Sequence, residues 1–104
     1  MAAARRVIVR YRTKPERADE NQRLVEAVFA ALAQREPEGL SYATFRLDDG
    51  VSFVHVATVD TDDGSNPLNA LEQFEAFSRD VVDRCDEPPT VQVATLVGSY
   101  RFGG

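Results

Sequence analysis

His55, Arg10, Arg46 and Tyr42 are the side chains whose types and spacing could do chemistry, and His55 is the only histidine in the chain. In a closed cavity, two guanidinium groups would hold an anionic or phenolic ligand and favour its deprotonated form. A neighbouring cation would keep His55 neutral, and a neutral imidazole can serve as a base. The expected set is therefore His55 as catalytic base, with Arg10, Tyr42, Arg46 and Phe53 around an anionic or phenolic ligand. A plainer alternative is open at this stage. The same residues could line a subunit interface, with the arginines paired to acidic clusters of a second copy.

Two extended segments must position them. The run from Ser41 to Val59, SYATFRLDDGVSFVHVATV, is rich in β-branched and aromatic residues and has Asp49-Gly50 at its centre, a preferred pair for a two-residue hairpin turn. Folding there sets Arg46 opposite Phe53, Phe45 opposite Val54, Thr44 opposite His55 and Tyr42 opposite Ala57. Side chains alternate between faces. Ala43, Phe45, Leu47, Val54 and Val56 then read as the core face, and Tyr42, Thr44, Arg46, Phe53 and His55 as a mixed second face.

Around this hairpin the chain supplies three more elements and a second helix. Arg6 to Arg12 alternates as a first strand. Thr13-Lys-Pro-Glu16 has capping-box spacing ahead of a helix running to about Glu36, with Leu24, Val25, Val28, Phe29, Ala31 and Leu32 on its apolar stripe. After a polar loop, Asn66-Pro67 is an N-cap followed by proline at the first helical position. The second helical region is predicted to reach about Cys85, with a break near Leu71, and to end at Pro88-Pro89. Thr90 to Phe102 is the predicted last strand. The order β-α-β-β-α-β, with right-handed crossovers, gives an α+β ferredoxin-like antiparallel sheet of strand order 4-1-3-2 with both helices on one face. Strand one then neighbours strand three, bringing Arg10 and Ile8 near His55 and Phe53. The helix-free face, expected to carry Ile8, Phe53, Ala57 and Val59, measures about 300 Å² from strand spacing alone. That much mixed-apolar surface predicts a homodimer stacked sheet against sheet.

Composition excludes several classes. The 104 residues predict a single domain over 1–104 with an ordered core of about 6–102. Hydrophobic residues at 43% and charged residues at 28% fit neither disorder nor a membrane span. The opening MAAARRVIVRYR lacks a signal peptide's apolar stretch, so a cytoplasmic protein is expected. The lone Cys85 agrees, placed on a helix as a small hydrophobe. A net charge of −5 argues against nucleic acid, which is bound by neutralising phosphates. The RNA recognition motif has the same element order, and Asp49 to Val56 echoes its third strand. Its basic position is Asp49 here, however, and its stacking positions are Val51, Val56 and Ile8. One histidine and one cysteine cannot build a typical zinc site.

Over residues 6 to 102 the chain resembles the dimeric α/β-barrel superfamily, in particular the antibiotic biosynthesis monooxygenase-like domains. The resemblance rests on VIVRYRTKP, the Pro37 to Arg46 turn and strand, FVHVATV, the helix containing Phe74-Glu-Ala-Phe77, and the closing strand. It implies a homodimer with sheets face to face, a pocket between helices and sheet in each subunit, and oxidation of phenols or hydroquinones by O2 without a cofactor. The chain has no tryptophan, which haem-degrading relatives use. Residues 72 to 76, EQFEA, lack the histidine that many relatives carry on the second helix. A non-catalytic homodimer that binds a small ligand or serves a structural role is the alternative implied function.

Overall fold

Val7, Val9, Tyr11 and Thr13 alternate with Arg6, Ile8, Arg10 and Arg12, and this alternation decides which way the sheet faces. In the computed structural model, which describes residues 4–102, these residues form strand β1, Arg5–Thr13. The chain continues as a short 3-10 turn, Pro15–Arg17, helix α1, Ala18–Arg35, strands β2, Leu40–Arg46, and β3, Ser52–Val59, a second 3-10 turn, Pro67–Ala70, helix α2, Glu72–Arg79, and strand β4, Cys85–Ala94. The sheet is antiparallel with order β2-β3-β1-β4, which is the expected 4-1-3-2 read from the other edge. Residues 1–3 and 103–104 of the expected domain lie outside those described. None of the described helices is long and apolar enough to cross a membrane.

The β2–β3 register is the one expected, with Tyr42 opposite Ala57, Thr44 opposite His55 and Arg46 opposite Phe53. The turn that sets it is wider than a two-residue hairpin. Gly50 N–H donates to Leu47 O (3.0 Å) and Leu47 N–H to Ser52 O (2.9 Å), and only Gly50 of the pair takes a positive φ, 79°. Asp49 does not take a positive φ and works with its carboxylate instead. That group accepts the N–H groups of Val51 and Ser52 and the Ser52 hydroxyl, contacts that hold its pKa down to about 2.

The face assignment is reversed. β1 pairs Val9 with His55, Tyr11 with Phe53 and Arg10 with Val54, one residue out of step with the expected neighbours. A one-residue shift flips every side chain to the other face. Phe53, His55, Ala57 and Val59 therefore lie under the helices and are buried, together with Tyr11, Val25, Val28, Ala31, Leu68, Leu71 and Phe77. Val54, Val56, Ala43, Phe45, Ile8 and Arg10 take the helix-free face, so Phe53, Ala57 and Val59 are absent from it.

Other expectations change at the element ends. Thr13 caps no helix; its hydroxyl and its N–H both donate to Val51 O. Asn66 does cap its turn, accepting Leu68 N–H, and Leu71 is extended where a break was expected. α2 stops at Arg79, because Arg84 folds back and donates to the Phe77 carbonyl (2.6 Å), holding the end of the helix with a cation. Cys85 consequently begins a strand and is half-buried rather than helical. Pro88 and Pro89 sit inside β4, where the ladder with β1 slips between Arg10 and Arg12. An edge strand at a bulge is where proline is tolerated. β4 ends at Ala94, opposite Arg6, since β1 has almost no residues left to pair with the rest of the predicted strand.

Candidate functional site

Beneath the helices, six polar groups meet in a row. The Tyr42 hydroxyl lies 2.6 Å from His55 Nδ1, with Thr44 Oγ1 at 3.1 Å from the same nitrogen, and His55 Nε2 lies 2.8 Å from the Tyr11 hydroxyl. Asn21 Nδ2 donates to that Tyr11 oxygen (2.8 Å), and Arg84 Nε donates to Asn21 Oδ1 (3.0 Å). The strands position the first four groups by pairing β2, β3 and β1 in register; α1 supplies Asn21, and the turn after α2 supplies Arg84. Asn21 and Arg84 are at most 1% exposed, and Tyr11 and His55 2% and 4%. Buried polar groups persist when paired, and here each is paired with another member of the row.

Aromatic packing holds the row in place. Tyr11 stacks on Phe53 with ring centroids 5.6 Å apart, and Phe29 stacks on Tyr42 at 5.0 Å. His55 packs against Tyr11, Tyr42 and Phe77. Burial pushes the His55 pKa down to about 4. Burial also raises both phenols, offset for Tyr11 by the Asn21 hydrogen bond and for Tyr42 by Thr44. Burial lowers the Arg84 pKa.

An apolar cavity of about 440 Å³ opens against this row. Val7, Val9, Ala57, Leu68, Phe74, Phe77 and Val81 form most of its wall, Val91 and Val93 of β4 border it, and Tyr11, His55 and Tyr42 are its inner polar surface. Val91 and Val93 are 66% and 73% exposed although they lie on the helix side. α2 is too short to cover them, so the cavity opens to solvent along β4. Arg5, Asn66 and Ser78 add polar groups to its lining.

The structure brings Tyr42 and His55 of the expected set together at the cavity and leaves the other three elsewhere. Arg10 points out of the helix-free face, because it pairs with Val54 rather than His55. Arg46 is bound at the hairpin end, donating to Asp19 Oδ1 (3.1 Å), Gln22 Oε1 (2.7 Å) and Gly50 O (2.9 Å). Phe53 is buried between Tyr11 and the Arg46 guanidinium and is not part of the cavity wall. His55 offers no ring nitrogen to a ligand directly, since hydroxyls of its own chain meet both. The arginine beside the cavity is Arg5. Within the chain Arg46 pairs with Asp19 (3.1 Å), Arg12 with Glu87 (3.3 Å) and Arg17 with Glu20 (2.6 Å). Tyr11, Asn21 and Arg84 were missed by sequence reasoning. Asn21 carried a signal, a polar residue four before Val25 on the buried stripe of α1.

No family model and no curated protein matches the chain. Solved structures do. Rv0793 from Mycobacterium tuberculosis superposes with a TM-score of 0.74 at 16% identity, covering 93% of this chain and 98% of that one. A crystal structure named antibiotic biosynthesis monooxygenase gives 0.72 at 21% identity, covering 90% and 99%. A Nitrosomonas europaea protein provisionally given the same name gives 0.73 at 15% identity, covering 93% of each. The chain therefore has the ferredoxin-like fold of proteins that carry this name.

Proposed function

We propose that the cavity binds a small planar aromatic ketone, phenol or hydroquinone and promotes its oxidation by O2 without a cofactor. One observation carries this reading: an apolar cavity of about 440 Å³ whose inner wall is the Tyr11, His55 and Tyr42 row. A pocket of this volume and composition suits a ligand of two or three fused rings, and the polar wall meets the oxygen of such a ligand. For an anthrone-like substrate the balance is one ring methylene and one O2 in, one ring carbonyl and one water out. The methylene carbon gives up both hydrogens and all four electrons, one oxygen atom becomes the carbonyl, and the other leaves as water. Such a substrate reacts as its anion, its proton lost to solvent at the open β4 side. Tyr42 is the group that meets its oxygen, His55 orients Tyr42 from behind, and the cavity excludes water from the rings.

The test is oxygen uptake with anthrone and naphthohydroquinones. Wild-type protein should raise uptake above autoxidation, and Tyr42→Phe should lower the enzymic part about a hundredfold. Uptake at the autoxidation rate would overturn the reading. A non-catalytic dimer with His55 at the subunit contact is disfavoured by the burial of His55 under the helices of its own chain.

We further propose that the protein is a homodimer through the helix-free face. Ile8, Ala43, Val56 and Ala94 of that face, with Leu96, Val97 and Phe102 of the terminal segment, border a second hollow of about 670 Å³. Phe45, Leu96, Val97, Tyr100 and Phe102 are large apolar side chains left exposed, more than a small domain ordinarily leaves bare. Light scattering at micromolar concentration should give twice the 11.5 kDa chain mass. A monodisperse monomer would rule the dimer out.

A further inference from the structure

A guanidinium can donate hydrogen bonds but cannot accept them, and that settles the orientation of the whole buried row. Arg84 donates to Asn21, so the Asn21 oxygen faces Arg84 and its NH2 faces Tyr11. Tyr11 thus receives a hydrogen bond on its oxygen and has one hydrogen of its own. The acceptor within reach is His55 Nε2, 2.8 Å away, and a hydroxyl 2% exposed does not leave its hydrogen unpaired. His55 Nε2 therefore carries the lone pair, and a neutral imidazole then has its hydrogen on Nδ1. That hydrogen points at Tyr42, 2.6 Å away, with Thr44 sharing it at 3.1 Å. The Tyr42 oxygen accepts, so its own hydrogen is not used by His55 and is available to an oxygen in the cavity that Tyr42 lines.

We propose that Arg84 is a positioning residue that fixes the direction of this row, so that Tyr42 presents a hydrogen-bond donor to the cavity and the cavity selects aromatic ligands bearing a carbonyl or oxyanion oxygen. This deepens the reading of the cavity given above and rests on it for the aromatic class of ligand. Burial keeps His55 neutral over the ordinary pH range, so protonation does not erase the tautomer. A donor on this mostly apolar inner wall, away from the polar groups of Arg5, Asn66 and Ser78, favours an acceptor over its hydrocarbon counterpart about tenfold.

The test reads the tautomer and the preference separately from turnover. Two-bond 1H–15N correlations on protein labelled at histidine should show His55 with its hydrogen on Nδ1 at neutral pH. 1-Tetralone, an aromatic ketone, should bind about tenfold more tightly than tetralin, its hydrocarbon. In Asn21→Asp the new carboxylate accepts from both Arg84 and Tyr11, which turns the Tyr11 hydrogen away from His55. The His55 hydrogen should move to Nε2, the Tyr42 hydrogen should turn to Nδ1, and the ketone preference should disappear. Should that variant fail to fold, Tyr42→Phe removes only the final hydroxyl, and it too should abolish the preference. A hydrogen on Nε2 in the wild type, an unchanged tautomer in folded Asn21→Asp, or equal affinities of ketone and hydrocarbon for the wild type would each overturn the proposal. Absence of oxygen uptake would overturn the oxidation reading alone, since tautomer and preference require no turnover.

Discussion

Replacing Phe53 with alanine should lower the free energy of unfolding by about 4 kcal/mol, because the ring is 1% exposed and stacked on Tyr11, and truncation leaves a hole that this interior cannot close. In a domain of this size that corresponds to a melting temperature roughly 20 °C lower. The affinity of the folded variant for 1-tetralone should stay within about threefold of wild type, since the ring is not on the cavity wall. Chemical denaturation and ligand titration below the transition measure the two effects. The opposite pattern, near-wild-type stability with affinity lost, would restore Phe53 to the pocket and invalidate the packing described for β1 and β3.

Acidification should destabilise the protein through His55. Its folded pKa of about 4 lies below the ordinary 6.5, so between these values the unfolded chain binds the proton that the folded one refuses. Stability is then greatest above about pH 6.5 and falls as the pH drops towards 4. The loss attributable to this group is about 3 kcal/mol between pH 7 and pH 4, from roughly 1.4 kcal/mol per unit of pKa difference. His55→Gln keeps a donor and an acceptor but does not titrate. Urea denaturation of both proteins across this range isolates the histidine as the difference between the two curves, since the carboxylates contribute equally to each. Parallel curves would mean that His55 ionises freely and is not sealed between Tyr11 and Tyr42.

The pairing of β2 with β3 was legible because two alternating runs flank Asp49-Gly50, and shifting one against the other would break every pair at once. Which side of that ribbon would be covered was not. Val54 and Val56 look more like core than His55 does, and a histidine is a poor interior residue when considered alone. Its burial is made tolerable by Tyr11 and Tyr42, hydroxyls on two other strands, and by Phe77 from a helix, contacts that no local pattern encodes. Arg10 was misplaced for the same reason. β1 and β3 are joined by a long connection, so nothing near either strand in sequence fixes their register, and a slip of one residue carries Arg10 from one face to the other. Arg84 was beyond reach: it meets Asn21 across 63 residues, and its segment reads as the tail of an amphipathic helix. The element order and sheet order survived these errors because they depend on periodicity and crossover handedness, which are local or general.

Pro88 and Pro89 also bear on how the molecule meets others of its kind. They interrupt the outer margin of β4, at a bulge, with two residues that have no N–H to offer an incoming chain. A strand approaching from that side finds a broken template, which is the usual protection of an open margin against runaway polymerisation. The opposite margin, β2, has no proline between Leu40 and Arg46. Strand addition to the sheet therefore meets less obstruction at β2 than at the Pro88-Pro89 stretch of β4, which leaves β2 as the more open of the two margins.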